Sequence, residues 1–230
     1  MTTPGPVVGA IFLFDAILIA AIAILVLRKD TGNLLNQIVA FAMFSFGDYL
    51  LLTGFIYILP PVGIYLDWCQ LLRDAAMLGA IIAAVLASLS GIIILRGEHY
   101  AIQKRVTIPL LVIALIALIL AIPNDSVVYY DSTDTIAFTS GILGVIGVLF
   151  IPAALMAFAT LCYIQTLRGL DRKNPKFKKA VALPIALLLV TFGIAYYSVL
   201  ALMGYPSPSL SIIGHALYIT SSFFFFYAFR

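Results

Sequence analysis

An all-α integral membrane protein, a bundle of seven transmembrane helices, is the fold class this sequence predicts, and three observations predict it. Of 230 residues, 63% are hydrophobic and only 10% are charged, against about 25% charged in a typical soluble domain; the mean hydropathy is +1.15. Apolar stretches of the ~20 residues that cross a bilayer recur along the whole length. The basic residues fall almost entirely on one set of loops.

The first span is expected from about Val7 to Leu27, stopped by Arg28, Lys29 and Asp30. Nothing ahead of it resembles the positive n-region of a signal peptide, so it is expected to be retained. The second runs from about Leu34 to Leu59 and ends at Pro60-Pro61. The third, about Ile64 to Leu95, is longer than a span needs and implies tilt or projection. The fourth covers about Val106 to Ile122, and the fifth about Ile136 to Leu167. The sixth covers about Ala180 to Met203, with Pro184 near its start, where a missing N–H is tolerated. The seventh covers about Leu210 to Phe229. One domain, 1–230, accounts for the chain, with no room for a separate soluble one. Cys69 and Cys162 both fall in spans, and no CxxC motif occurs.

The loops after spans one, three and five, with Arg230, hold twelve of the thirteen basic residues; the thirteenth is Arg73 within span three. The opposite loops hold no Lys or Arg but do hold Asp125, Asp131 and Asp134. The positive-inside rule then places the N-terminus outside and the C-terminus in the cytoplasm of a multi-pass cell-membrane protein. The small-residue stripes Gly141, Gly144, Gly147 and Ala75, Gly79, Ala83, Ala87 read as close helix packing. The basic residues track the membrane side, and nothing supports nucleic-acid binding. The bilayer itself is the first partner.

Ionisable groups inside spans are costly and mark function or pairing. Asp15, Asp48, Asp67 and Asp74 lie in spans with only Arg73 and His215 as positive partners. From the helical rise, Asp15 lies ~12 Å, Asp48 ~16 Å, Arg73 and Asp74 ~14 Å, His215 ~8 Å and Tyr196 and Tyr197 ~10 Å from the outer surface. Asp67 lies at the rim. Asp67, Gln70 and Asp74 share one helix face at i, i+3 and i+7. Arg73 points sideways, and the simplest pairing is with Asp48 or Asp15. The remaining acids must be protonated, hydrated or bound to a cation. The half nearer the cytoplasm offers few polar groups, among them Ser88, Ser90, Thr160, Gln165 and Thr191.

Seven spans with the N-terminus outside is the microbial rhodopsin topology. Tyr65-Leu66-Asp67-Trp68 looks like the Tyr-x-Asp-Trp around the counter-ion aspartate of those pumps. Span seven has no lysine, so a covalent retinal link has no attachment point there. Phe44-Ser45-Phe46-Gly47-Asp48-Tyr49-Leu50-Leu51 is similar to the Gly-Asp-x-x-Leu segment of lysoplasmalogenase-like membrane hydrolases, over those eight residues and without the downstream histidine-tyrosine segment. Seven-helix zinc hydrolases of the ceramidase and adiponectin-receptor type use several span histidines. This chain has one, so such a zinc site fails. No second in-span histidine is present to pair around a haem.

The sequence therefore points to an outward-facing acidic cavity that binds a cation, a proton or a small ligand, as in a transporter or receptor. Asp48 and Asp74 would be the ligands or proton carriers, and Arg73 would set their charge state. His215, Asp15, Tyr196 and Gln70 would complete the site. Asp48, Asp74 and His215 are the metal candidates, the metal itself being unspecified. Two alternatives stand beside this reading. One is an intramembrane metal-dependent hydrolase using Asp48 and Asp74. The other is an integral subunit of a larger complex, or a homo-oligomer, in which a partner helix covers the acids.

Overall fold

The computed structural model describes residues 5–58, 64–130, 135–171, 173–174, 176–203 and 208–230. Pro60, Pro61, Asp131, Asp134 and Arg172, used above for span ends and loop charge, lie outside the described residues.

The elements follow the apolar stretches closely. Helix α1 (Gly5–Lys29) ends on its two basic residues. Asp30 then accepts from the Gly32 N–H, and Asn33 caps α2 (Leu34–Ile58) by accepting from the Asn36 N–H at 3.1 Å. Helix α3 (Ile64–Arg96) stops at Gly97, whose φ of +87° is a left-handed conformation that glycine adopts freely. A single turn, α4 (Glu98–Ala101), leads into α5 (Lys104–Ala121). Beyond α5 the chain is not the loop plus long helix expected. Strands β1 (Asp125–Tyr130) and β2 (Thr135–Ser140) form an antiparallel hairpin, with Asp125 opposite Ser140 and Tyr130 opposite Thr135. The expected start of span five near Ile136 is thereby corrected. Residues 135–140 pair as a strand, and the helix begins at Ile142. Runs of Val, Ile, Thr, Phe and Tyr suit a pleated strand as well as a membrane helix.

The next helix is continuous over Ile142–Leu167 but not uniform. It passes from α6 (Ile142–Val145) through a π-helical turn (Ile146–Phe150) into α7 (Ile151–Leu167). Pro152 has no N–H to give Val148 four residues back, which accounts for a widened turn at this place. Helices α8 (Phe177–Met203) and α9 (Pro208–Phe229) follow.

Among the described residues, six helices are long and apolar enough to cross a membrane, and α9 carries a shorter apolar stretch, Ile213–Phe229. The build is that of a multi-pass membrane protein. Large apolar side chains such as Ile17, Leu115, Ile119 and Ile142 are exposed on its flanks, as lipid contact requires. Packing runs α1 to α2, α2 to α3, α3 to α7, α7 to α8, α8 to α9, and α9 back to α1, a closed ring of six. Helix α5 stands outside the ring, against α3 and the π-helical turn. The hairpin caps one end of the bundle, and the lysines and arginines of the connections lie at the other.

The contact of α5 with the π-helical turn depends on Gly147. A Cβ there would sit 2.5 Å from the Ala117 carbonyl and 2.7 Å from the Ala121 nitrogen. Gly147→Leu is expected to destabilise the fold by about 1–3 kcal/mol or more, the scale of overpacking. Gly141→Ala, whose new methyl has nothing nearer than the Asn124 carbonyl at 3.9 Å, should be close to neutral. Equal melting midpoints for the two variants in detergent would contradict this packing.

Candidate functional site

The in-span ionisable groups divide into two clusters and two exposed acids, Asp48 and Asp67. At the hairpin end, Arg73 of α3 is buried and donates from Nε to Asp125 Oδ2 at 2.7 Å. The expected partners, Asp48 and Asp15, are thus both displaced by an acid from the connection after α5. The hairpin folds Asp125 back onto α3, within closer reach than either helical aspartate. Ser140, opposite Asp125 in the register, donates a short hydrogen bond to Asp125 Oδ1. The guanidinium lies 4.3 Å over the ring of Phe138, a cation–π contact, and Tyr49 of α2 bears on it as well.

Gln70, one turn before Arg73 and Asp74, ties the same region together. Its amide nitrogen donates to Asp74 Oδ1 at 2.9 Å and to the Asp125 carbonyl at 3.3 Å, while its oxygen accepts from the Val127 N–H at 2.9 Å. Gln70 and Asp74 therefore do share a helix face, as their spacing implied. What they serve is the docking of the hairpin. Asp67 is exposed at the end of α3.

The second cluster is more fully buried. Asp15 of α1 and His215 of α9 are respectively 0% and 2% exposed, and Asp15 Oδ2 lies 3.3 Å from His215 Nδ1. Around the imidazole stand Phe12, edge-on with centroids 4.1 Å apart, Tyr197 at 6.2 Å and Tyr218 at 6.5 Å. Tyr196, the expected participant, stands one residue earlier on α8, with its ring against Tyr197. Asp15 Oδ1 and His215 Nε2 have no hydrogen-bond partner among the described residues. Buried polar atoms are nearly always bonded, so two orphans on one ion pair require an explanation. A run of aromatics joins the clusters, from Phe138 through Tyr57 to Phe12 and so to His215.

Asp48 belongs to neither cluster. It is exposed on the flank of α2 and makes no hydrogen bond or ion pair among the described residues. Asp48, Asp74 and His215 thus occupy three different settings, and among the described residues no three His, Cys, Asp or Glu side chains group as a metal site.

Toward the basic end, the hydroxyls close onto the backbone. Ser88 donates to the Leu155 carbonyl, Ser90 to Ala87, Thr160 to Met156 and Thr191 to Leu187. Gln165 is exposed at the end of α7. A cavity of about 40 Å³ inside the ring is lined by Ile19, Met43, Phe46, Leu187 and Phe225, with the hydroxyl pair Tyr163–Ser90 in its wall. These walls offer an ion almost no polar footing.

No protein-family model matches the chain, and none of the curated proteins matches it either.

Proposed function

We propose that the protein is a seven-span receptor or sensor of the cell membrane, N-terminus outside and C-terminus in the cytoplasm, whose input is a proton held by the Asp15–His215 pair. Eleven described basic residues at the end opposite the hairpin support that orientation. The observation that carries the reading is the orphaned pair of atoms, Asp15 Oδ1 and His215 Nε2, in a space closed to solvent.

The argument is one of charge and room. With one proton shared between them the pair is neutral; without it, the pair is a buried net negative charge, which an apolar interior penalises heavily. The nearest in-span cation, Arg73, is already neutralised by Asp125. The site is too enclosed for a larger ligand, which favours a proton over a small cationic molecule. The closed hydroxyls and apolar cavity toward the basic end support a one-sided site over a conducting path.

The test is a melting profile of the purified protein at stepped pH. Above about pH 6.5, where an imidazole in the unfolded chain has given up its proton, the wild-type midpoint should fall as pH rises, because the folded pair must then lose its own and leave the buried negative charge. Asp15→Asn, neutral at every pH, should flatten that fall, and Asp48→Asn should preserve it. An Asp15→Asn profile parallel to wild type would sink the reading.

A further inference from the structure

We infer that the exposed ridge of α2 centred on Asp48 docks a transmembrane helix of another protein, one that carries a lysine or arginine level with Asp48. Asp48 lies ten residues from Ile58 and fourteen from Leu34, so about 15 Å and about 21 Å of helix separate it from the two ends. A lipid headgroup does not reach that depth. In-span acids normally face a bundle interior or a water-filled cavity and are paired. This one faces outward, without a partner among the described residues.

The ridge has the geometry of a helix-packing seam. Phe41, Asp48 and Phe55 are spaced by seven residues, and all three are exposed in a helix whose other members up to Gly54 are buried or half-buried. A repeat of seven keeps residues on one line along a helix pair. Gly79 of α3 packs directly beside it, where a Cβ would stand 2.8 Å from the Ser45 carbonyl and 3.7 Å from the Asp48 Cβ. That close approach holds α3 low against α2, and the exposed Ala75, Leu78 and Ile82 of α3 run alongside as a second rail.

Charge complementarity selects the occupant. A second copy of this chain has no basic residue to offer at this depth. Its only in-span cations are Arg73, buried against Asp125, and His215, buried against Asp15. Two copies related by a two-fold axis would bring Asp48 to Asp48, acid against acid. A foreign helix with one basic residue near its middle neutralises the carboxylate and loses its own isolated charge in the same step.

The experiment uses the full chain in lipid vesicles with a synthetic leucine-alanine transmembrane helix as probe. The probe carries one lysine ten residues from its outer end, or leucine or glutamate at that position. Association is read by energy transfer between labels on probe and protein. The lysine probe should bind roughly tenfold more tightly than the leucine probe, the scale of one interhelical polar contact, and Asp48→Asn should erase the difference. Asp48→Lys should transfer the preference to the glutamate probe, which separates charge recognition from a folding defect. Equal binding of the three probes, a preference that survives Asp48→Asn, or self-association of the chain that Asp48→Asn abolishes would each overturn the proposal.

Discussion

Arg73→Met is expected to destabilise the protein by about 3–5 kcal/mol, the cost of removing one partner from a buried ion pair. Most of that loss is not the energy of the Arg73–Asp125 contact itself. It is the penalty on Asp125, which stays 5% exposed with the Ser140 hydroxyl and entering water, and no guanidinium, to support its charge. Asp125→Leu alone should cost a similar amount, because the guanidinium then loses its charged partner and is left among the aromatic rings of Phe138, Tyr49 and Tyr57. The double variant Arg73→Met/Asp125→Leu should recover much of the loss, since apolar pairs of similar volume often replace buried ion pairs at little cost. A double-mutant cycle on detergent unfolding measures the coupling. Additive losses would show that the pair does not hold the hairpin to α3.

His215→Leu is the second large effect, again about 3–5 kcal/mol, because Asp15 then loses the imidazole that, among the described residues, is its one ion-pair partner across the α1–α9 contact. Asp15→Asn should cost less, since its amide can still hydrogen-bond to the imidazole nitrogen that faces it. The two variants therefore rank in a fixed order. Unfolding midpoints in the reverse order would mean that the imidazole, and not the carboxylate, is the group that needs support.

The helices were legible because a bilayer-spanning segment declares itself through length and apolarity, and α1, α2, α3 and α8 lie within a few residues of their expected bounds. The hairpin was not, because its strand residues are also good membrane-helix residues; only the Asp-Ser-Thr-Asp break between Tyr130 and Thr135 marked it. That oversight concealed Asp125 as the partner of Arg73, since pairing was sought only among acids within spans. Depth placed Asp15 and His215 in one layer, but depth carries no azimuth, so their meeting could not be read. The same gap hid the orientation of Asp48. A helix that is apolar on every side gives no periodic signal of which side faces lipid.

The meeting of Asp15 and His215 also sets a clock on biogenesis. The two residues are separated by 200 positions, and the ring closes only when α9 reaches α1. During synthesis Asp15 therefore enters the membrane long before its histidine is made. Every intermediate that lacks α9 carries an acid on α1 without its histidine. Arrival of the last helix removes that mark, so a chain halted short of His215 remains chemically distinguishable from a finished one.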